Sequence, residues 1–374
     1  MEERLHDLIE SNSEANRTKW AMEWKKHGKK VIGVMSSYVP EEVISAAGML
    51  PWRITGTWNE NISHTRVYRG ESSCGYCNHV LESFLIDELD FLDGIVVTDQ
   101  DQDTLRLWDL LVYLKTLPFC HAIHIPFADS DLTRQFYTNE IRRLTRSLED
   151  YGGTEVSEGS LISVIETYNR TRSLLNRVYE LRKRDIPPIS GSEALGIMTA
   201  VQIMPKEKFN HELETLLPYL EKREVNLKQG HPRLMIISDK LDNPAYLDLV
   251  EEACLIAMDD MDTGTRYFIQ NVDTTLEDPV YALAKRYISR HGAPRMNDWA
   301  GQLDQIIKWV NEYKIDGVLG LPQMWDYAQW FRMPFSKNKL QAAGIPVIFL
   351  EREYHLANVG QLRTRIGAFV EMLT

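Results

Sequence analysis

The stretch VIGVMSSYVPEEVISAAGM, Val31 to Met49, carries the pattern that decides the fold. Its first five residues form a short continuous apolar run behind Gly28 and two lysines, which predicts a strand buried on both faces. A helix is expected next. Pro40 lacks the N–H that a first helical turn leaves unpaired, Glu41 and Glu42 suit the positive end of the helix dipole, and Gly48 ends the run.

Upstream, residues 3 to 28 read as one amphipathic helix. Downstream, the segment around Cys74 and Cys77 reads as a helix, DGIVVT (93–98) as a strand, DTLRLWDLLVYLK (103–115) as a helix with Asp103 near its cap, and HAIHIP (121–126) as a strand. From Asp131 to about Gly230 only helical spacing recurs, with turns at YGG, DIPPISGS and KQGHP. Alternation then resumes with RLMIISD, CLIAMDD, DGVLGLP and PVIFLE as strands and helices near 244–252, 278–313 and 358–373.

The expected fold class is therefore α/β, with two parallel-sheet domains, Rossmann-like or flavodoxin-like, joined by a helical segment. The boundaries are 1–130 for the first domain with its N-terminal helix, 131–229 for the helical connection and 230–374 for the second domain. Ligands of open parallel sheets sit beyond the carboxyl ends of the strands. Functional loops are accordingly sought from Ser36, Thr98, Ser238, Asp259, Leu321 and Glu351.

Composition narrows the function. Of 374 residues 44% are hydrophobic and 26% charged, the balance of a globular chain, and no run approaches the roughly 18 apolar residues of a spanning helix. The first 30 residues mix acids, bases and single apolar residues, unlike a signal peptide, so a cytoplasmic location without membrane attachment is expected. A net charge of −12 argues against a nucleic-acid partner. Four cysteines do not make a disulfide framework.

Two of those cysteines stand in SSCGYCNHVLESF (72–84), spaced C-x-x-C, with His79 two residues on. On a helix Cys74, Cys77, Leu81, Phe84 and Leu85 share one face, which is the stripe of a core. A metal site is the other reading. Zinc needs four ligands, and neither Cys120 with His121 and His124 nor Cys254 offers a second knuckle; an iron–sulfur cluster needs three or four thiolates. Spacing leaves both readings open.

Five segments in order, GVMSSYVPEEVISAAGMLPWRITG, the CxxC helix, ELDFLDGIVVTDQDQDTLRLWD, VEEACLIAMDDMDTGTRYF and AAGIPVIFLEREY with GQLRTRIGAFVEML, resemble the 2-hydroxyacyl-CoA dehydratase and benzoyl-CoA reductase family over nearly the whole chain. The resemblance implies a subunit paired with a homologous second subunit around an acyl-CoA cleft. It also implies an ATP-dependent iron–sulfur activator that feeds one electron to a 4Fe-4S cluster, own or partner-borne, and on to a CoA thioester. The outcome is 2-hydroxyacyl-CoA dehydration or reduction of an aromatic acyl-CoA ring in an oxygen-sensitive enzyme.

The family's first cluster cysteine is matched by Cys74 or Cys77, but Gln102 stands where the second is expected and Trp325 where the third is. Neither side chain replaces a thiolate. Cys120 is a candidate third ligand, whereas Cys254 begins a strand and is badly placed. Ser36 and Ser37 are the loop residues that the resemblance assigns to substrate, with an ordinary helix cap as the alternative. Arg266, after Asp262 and Gly264, could pair a carboxylate or CoA phosphate, or form an internal salt bridge with Asp259, Asp260 or Asp262. Asp99, Asp101 and Asp103 lack a phosphate-binding loop beside them, so nucleotide hydrolysis by this chain is not expected. The aromatic and Met residues of 323–335 are expected to line a cleft or an interface between subunits. Two rivals remain, a non-catalytic scaffolding subunit and a zinc-containing protein of the same architecture.

Overall fold

The computed structural model describes residues 1–115, 117–225, 230–290 and 298–374. Its strands form two four-stranded parallel sheets. The first contains β1 (Val31–Val34), β2 (Leu50–Arg53), β3 (Gly94–Thr98) and β4 (Cys120–Ile123) in the order β2-β1-β3-β4. The second contains β5 (Arg233–Ile237), β6 (Leu255–Asp260), β7 (Gly317–Gly320) and β8 (Val347–Phe349) in the order β6-β5-β7-β8. The same winding thus occurs twice. In each sheet the order reverses beside the first strand, between β1 and β3 and again between β5 and β7, and such a reversal opens a crevice at the strands' carboxyl ends.

Two parts of the N-terminal half depart from expectation. The single helix over 3–28 is two helices, α1 (Glu2–Ile9) and α2 (Lys19–Lys26), because Ser11 and Ser13 bond back to the carbonyls of Asp7 and Glu10 and divert the chain from helix. Strand β2 was hidden by Pro51. It lies at a sheet edge, where a missing N–H is tolerated.

Helices α3 (Glu41–Ala46), α4 (Gly75–Leu85) and α5 (Gln102–Leu114) complete the first sheet's connections. Asp101 caps α5, accepting from Thr104 N at 2.6 Å, and Asp103 stands beside it in the first turn, as expected. The middle of the chain is helical where described: α6 (Asp131–Gly152), α7 (Glu158–Leu181), α8 (Gly191–Val201) and α9 (Lys206–Leu220). Gly153, in the left-handed conformation at φ 67°, ends α6 at the expected YGG turn. Part of KQGHP lies outside the described residues.

In the second half α10 (Ala245–Glu251) is followed by α11 (Pro279–Ser289) and α12 (Trp299–Glu312), which divide the helix expected over 278–313; 291–297 lie outside the described residues. The aromatic stretch near 325 becomes α13 (Tyr327–Ala342), and α14 (Val359–Glu371) closes the chain. The largest apolar core runs from Val31 and Ile95 of the first sheet, through Leu174, Ile197 and Leu213 of α7 to α9, to Met235 and Val318 of the second. That continuous packing fixes the sheets against each other with their carboxyl-end loops meeting. Among the described residues no helix is long and apolar enough to cross a membrane.

Candidate functional site

The loops leaving β3, β5 and β7 line one cavity of about 370 Å³. Asp99 to Asp103 form one wall, Asp239 and Lys240 the opposite one, and Gln323 and Asp326 the floor beside Cys74. The first wall is held by its own acids. Asp99 accepts from Ile125 N at 2.8 Å and faces His124 Nδ1 at 3.0 Å, tying β3 to the loop after β4. Asp103 accepts from Arg69 Nη2 at 2.5 Å and from Cys74 N at 3.3 Å.

Across the cavity, Lys240 Nζ lies 3.6 Å from Asp101 and 4.5 Å from the centre of the Tyr76 ring. Burial works against its charge, yet Asp101, Cys77 and Asp239 lift the ammonium well above the ordinary lysine value. Asp101 is correspondingly held low, Lys240 and the capping bonds outweighing burial. Asp239 goes the other way. Burial first, then Asp262 and Asp326, raise its carboxyl to about 7 against the pull of Lys240 and Arg266.

The CxxC helix enters this cavity by its N-terminus. Cys77, Leu81 and Phe84 are buried in the core as the stripe predicts, but Cys74 stands outside the helix as its N-cap and its side chain reaches the cavity. The neighbouring Cys77 and burial push the Cys74 thiol well up. The amide oxygen of Gln323 faces Gly75 N and Tyr76 N at 2.9 and 2.5 Å, since those groups can only donate. A residue of the second half therefore closes a helix of the first. His79 packs on Tyr354 with Nδ1 2.7 Å from the Thr57 carbonyl oxygen, and burial lowers it to about 4. Gly56 makes room for this packing, because a Cβ there would stand 2.6 Å from His79 Cβ.

The other expected residues fall in different places. Cys120 is the exposed first residue of β4, paired with Ile95, so it sits at the amino end of the sheet whereas Cys74 faces the carboxyl end. Cys254, just before β6, donates to Val250 O. Gln102 lines the same cavity as Cys74, and Trp325 packs its ring on Trp330 at 5.4 Å. The resident cluster expected of a cysteine triad does not fit this donor set: two thiols meet, and among the described residues no group of three or more His, Cys, Asp or Glu is arranged for a metal ion.

Ser36 and Ser37 are buried and do not cap α3, whose N-cap is Pro40. Ser36 donates to Gln100 Oε1, and Ser37 donates to Asp262 Oδ1 across the two halves. Asp262 also accepts from Arg53 Nη1 at 3.0 Å, and Arg53 and Ser37 keep it low despite burial. Arg266 forms the internal salt bridge: Nε and Nη2 donate to Asp260 at 2.7 and 3.0 Å, and Nη1 donates to Asp239 at 3.1 Å.

Sequence reasoning missed Asp239, Lys240, Gln323 and Asp326. The carboxyl-end rule pointed at their loops, starting at Ser238 and Leu321, but no motif distinguished the residues within them. These features define a class, an α/β chain with two parallel sheets whose switch-point loops share one polar cleft. A family model for the 2-hydroxyglutaryl-CoA dehydratase D-component matches residues 36–373, and the chain belongs to that family. It is 24% identical over 373 residues to the (R)-phenyllactyl-CoA dehydratase beta subunit of Clostridium sporogenes, covering 98% of this chain and 97% of the relative. It is 25% identical over 359 residues to (R)-2-hydroxyglutaryl-CoA dehydratase, subunit beta, of Acidaminococcus fermentans, with 94% of each chain covered. A benzoyl-CoA reductase subunit of Thauera aromatica is 26% identical over 369 residues, again with 94% of each covered.

Proposed function

We propose that this chain is one subunit of an oxygen-sensitive cytoplasmic complex that removes water from a 2-hydroxyacyl-CoA thioester, driven by ATP-dependent one-electron reduction. The acyl end of the thioester enters the cavity between the sheets. What supports this reading above all is the convergence of three strand-end loops on one cleft in a chain of a CoA-thioester dehydratase family. A cavity of about 370 Å³ is at the small end for ligand sites and suits the acyl group and thioester, with the nucleotide of CoA lying outside. Lys240 offers N–H donors to the thioester carbonyl.

We attribute the electron-carrying cluster to the homologous partner subunit, because among the described residues Cys74 has only Cys77 as a neighbouring thiol and no group of three or more possible ligands is found. An ATP-hydrolysing iron–sulfur activator serves the pair. Ser36, Ser37 and Arg266 act by holding the loops, and Cys74 by lining the cleft. The chain divides at residues 130 and 230 into two α/β parts and a helical connection.

Calorimetric titration with an unreactive acyl-CoA, and iron, sulfide and zinc analysis of the chain alone and with its partner, test this reading. Binding weakened about tenfold by Lys240→Ala, with iron in the pair but not in the isolated chain, is the expected result. No binding by the pair overturns it in favour of a scaffold. Iron in the isolated chain that is lost on Cys74→Ser and Cys77→Ser overturns the partner-borne cluster, and zinc in its place supports the zinc-protein reading.

A further inference from the structure

Resting on that reading, we propose that Asp239 is the proton donor of the cleft, delivering a proton to the oxygen that leaves the bound 2-hydroxyacyl thioester. Its position is the first support. Asp239 follows β5 at the switch point of the second sheet and borders both the main cavity and a smaller one behind it. Arg266 Nη1 donates to its Oδ1 at 3.1 Å and so fixes the carboxyl against the cavity wall.

The second support is the charge that surrounds it. Asp262 faces it from the loop after β6, Lys240 from its own loop, Arg266 from the turn beyond Asp262, and Asp326 and Arg332 from the start of α13. Two of those cations already face another carboxylate, Lys240 with Asp101 and Arg266 with Asp260, while Arg332 acts on Asp239 first and on Asp326 second. Asp262 is held by Arg53 and Ser37. Crowded carboxylates with shared cations do not all ionise, and the proton rests where compensation is weakest. Asp326 is the rival holder, since burial and Asp101 raise its carboxyl too, but it caps α13 and accepts from Gln329 N and Nε2 at 3.2 and 2.7 Å, two bonds that offset part of that rise and that Asp239 lacks. Two acids in one cleft are thereby driven apart, Asp262 downward and Asp239 up to about 7, a division that marks a proton-carrying group.

The chemistry needs such a group. Hydroxide is a poor leaving group, and protonation turns it into water. In the overall elimination the C–O bond and the neighbouring C–H bond break and a C=C bond forms. Water carries off the Asp239 proton, the C–H proton passes to solvent, and solvent reprotonates the carboxylate, so the sum is substrate to enoyl thioester plus water.

The test uses the chain with its partner and activator, comparing wild type, Asp239→Asn and Asp239→Glu. Infrared spectroscopy of the chain alone is expected to show a protonated carboxyl band at pH 6 that fades by pH 8.5 and is missing from Asp239→Asn. In turnover, wild-type kcat falls as pH rises through about 7, whereas Asp239→Asn loses about 10²-fold or more at pH 6.5 and the slope with it. Acyl-CoA affinity stays within about threefold, as expected for a group that acts in the transition state. Asp239→Glu keeps a sloping profile with its limb displaced. A kcat and slope like wild type in Asp239→Asn, or the same infrared band in that variant, overturns the proposal while acyl-CoA binding stands. If Asp239→Asn does not fold, an undisplaced limb in Asp239→Glu overturns it. Failure of wild type to bind acyl-CoA overturns the functional reading instead, and the infrared band still decides whether Asp239 holds a proton.

Discussion

Two buried charge clusters in this chain share the same ingredients and differ in one respect. The first lies under α3. Glu42, fully buried, meets Arg172 and accepts from Tyr287 Oη at 2.8 Å, while Glu41 accepts from Tyr267 Oη at 2.7 Å and faces Lys206 at 3.4 Å and Arg53 at 3.7 Å. Arg286 stands close enough to add to the field on Glu42. Cations here match or outnumber the acids, so burial raises the Glu42 carboxyl but Arg172 and Arg286 bring it below its ordinary value. The second cluster is the cleft, where Asp101, Asp239, Asp262 and Asp326 crowd around shared cations and Asp239 is lifted. A sealed, balanced network locks helices together. An unbalanced one beside a cavity leaves a proton that can move.

The largest expected effect breaks the sealed side. Glu42→Gln removes the anion that Arg172 and Tyr287 are built around and leaves a buried guanidinium without its partner, which costs about 3–5 kcal/mol. Urea unfolding measures it, and a loss under about 1 kcal/mol shows that the network contributes little to stability. The sign of its pH dependence follows from the lowered value: the contribution is present above the ordinary 4.5 and is lost as pH falls through the lower folded value.

On the cleft side the sign reverses. With Asp239 at about 7 when folded against an ordinary 3.8, the folded chain holds a proton between those values that the unfolded chain has released. Stability from this group therefore falls as pH rises from about 4 to about 7, by up to about 4 kcal/mol. Asp239→Asn removes that slope, so the variant gains on wild type across the window. Parallel unfolding curves at pH 5 and pH 7.5 check it, and an unchanged difference between the two proteins refutes the uneven charge balance.

How much of this was legible in the sequence follows the same division. Strand and helix alternation was readable because it is local: VIGVM, DGIVVT and RLMIISD are short apolar runs that only a covered parallel strand explains. Strand β2 was not, since LPWR is too short and its proline speaks against a strand until its edge position is known. The cleft was half legible. The carboxyl-end rule located its loops, but Ser37 meets Asp262 across 225 positions of sequence, and the lifted value of Asp239 depends on Asp262 and Asp326 arriving from other elements. Pairings across such separations leave no periodic trace. Arg266 illustrates the converse, a residue whose type suited a ligand phosphate but whose donors meet Asp260 and Asp239.

The smallest expected effect separates the two thiols on which the metal question turned. Cys77 is inaccessible and packed in the core, so Cys77→Ser buries a hydroxyl among apolar side chains and costs about 1–3 kcal/mol. Cys74 is 8% exposed at the N-cap of α4, where serine is a favoured residue and its hydroxyl can reach the cavity, so Cys74→Ser changes stability by less than about 1 kcal/mol. Urea midpoints of the two variants, read with iron analysis of the isolated chain, distinguish a thiol that packs from a pair that ligates. Unequal losses of stability with no iron at stake fit the packing account. Equal losses accompanied by release of bound iron do not, because ligation makes the two sulfurs equivalent in a way that their different burial does not.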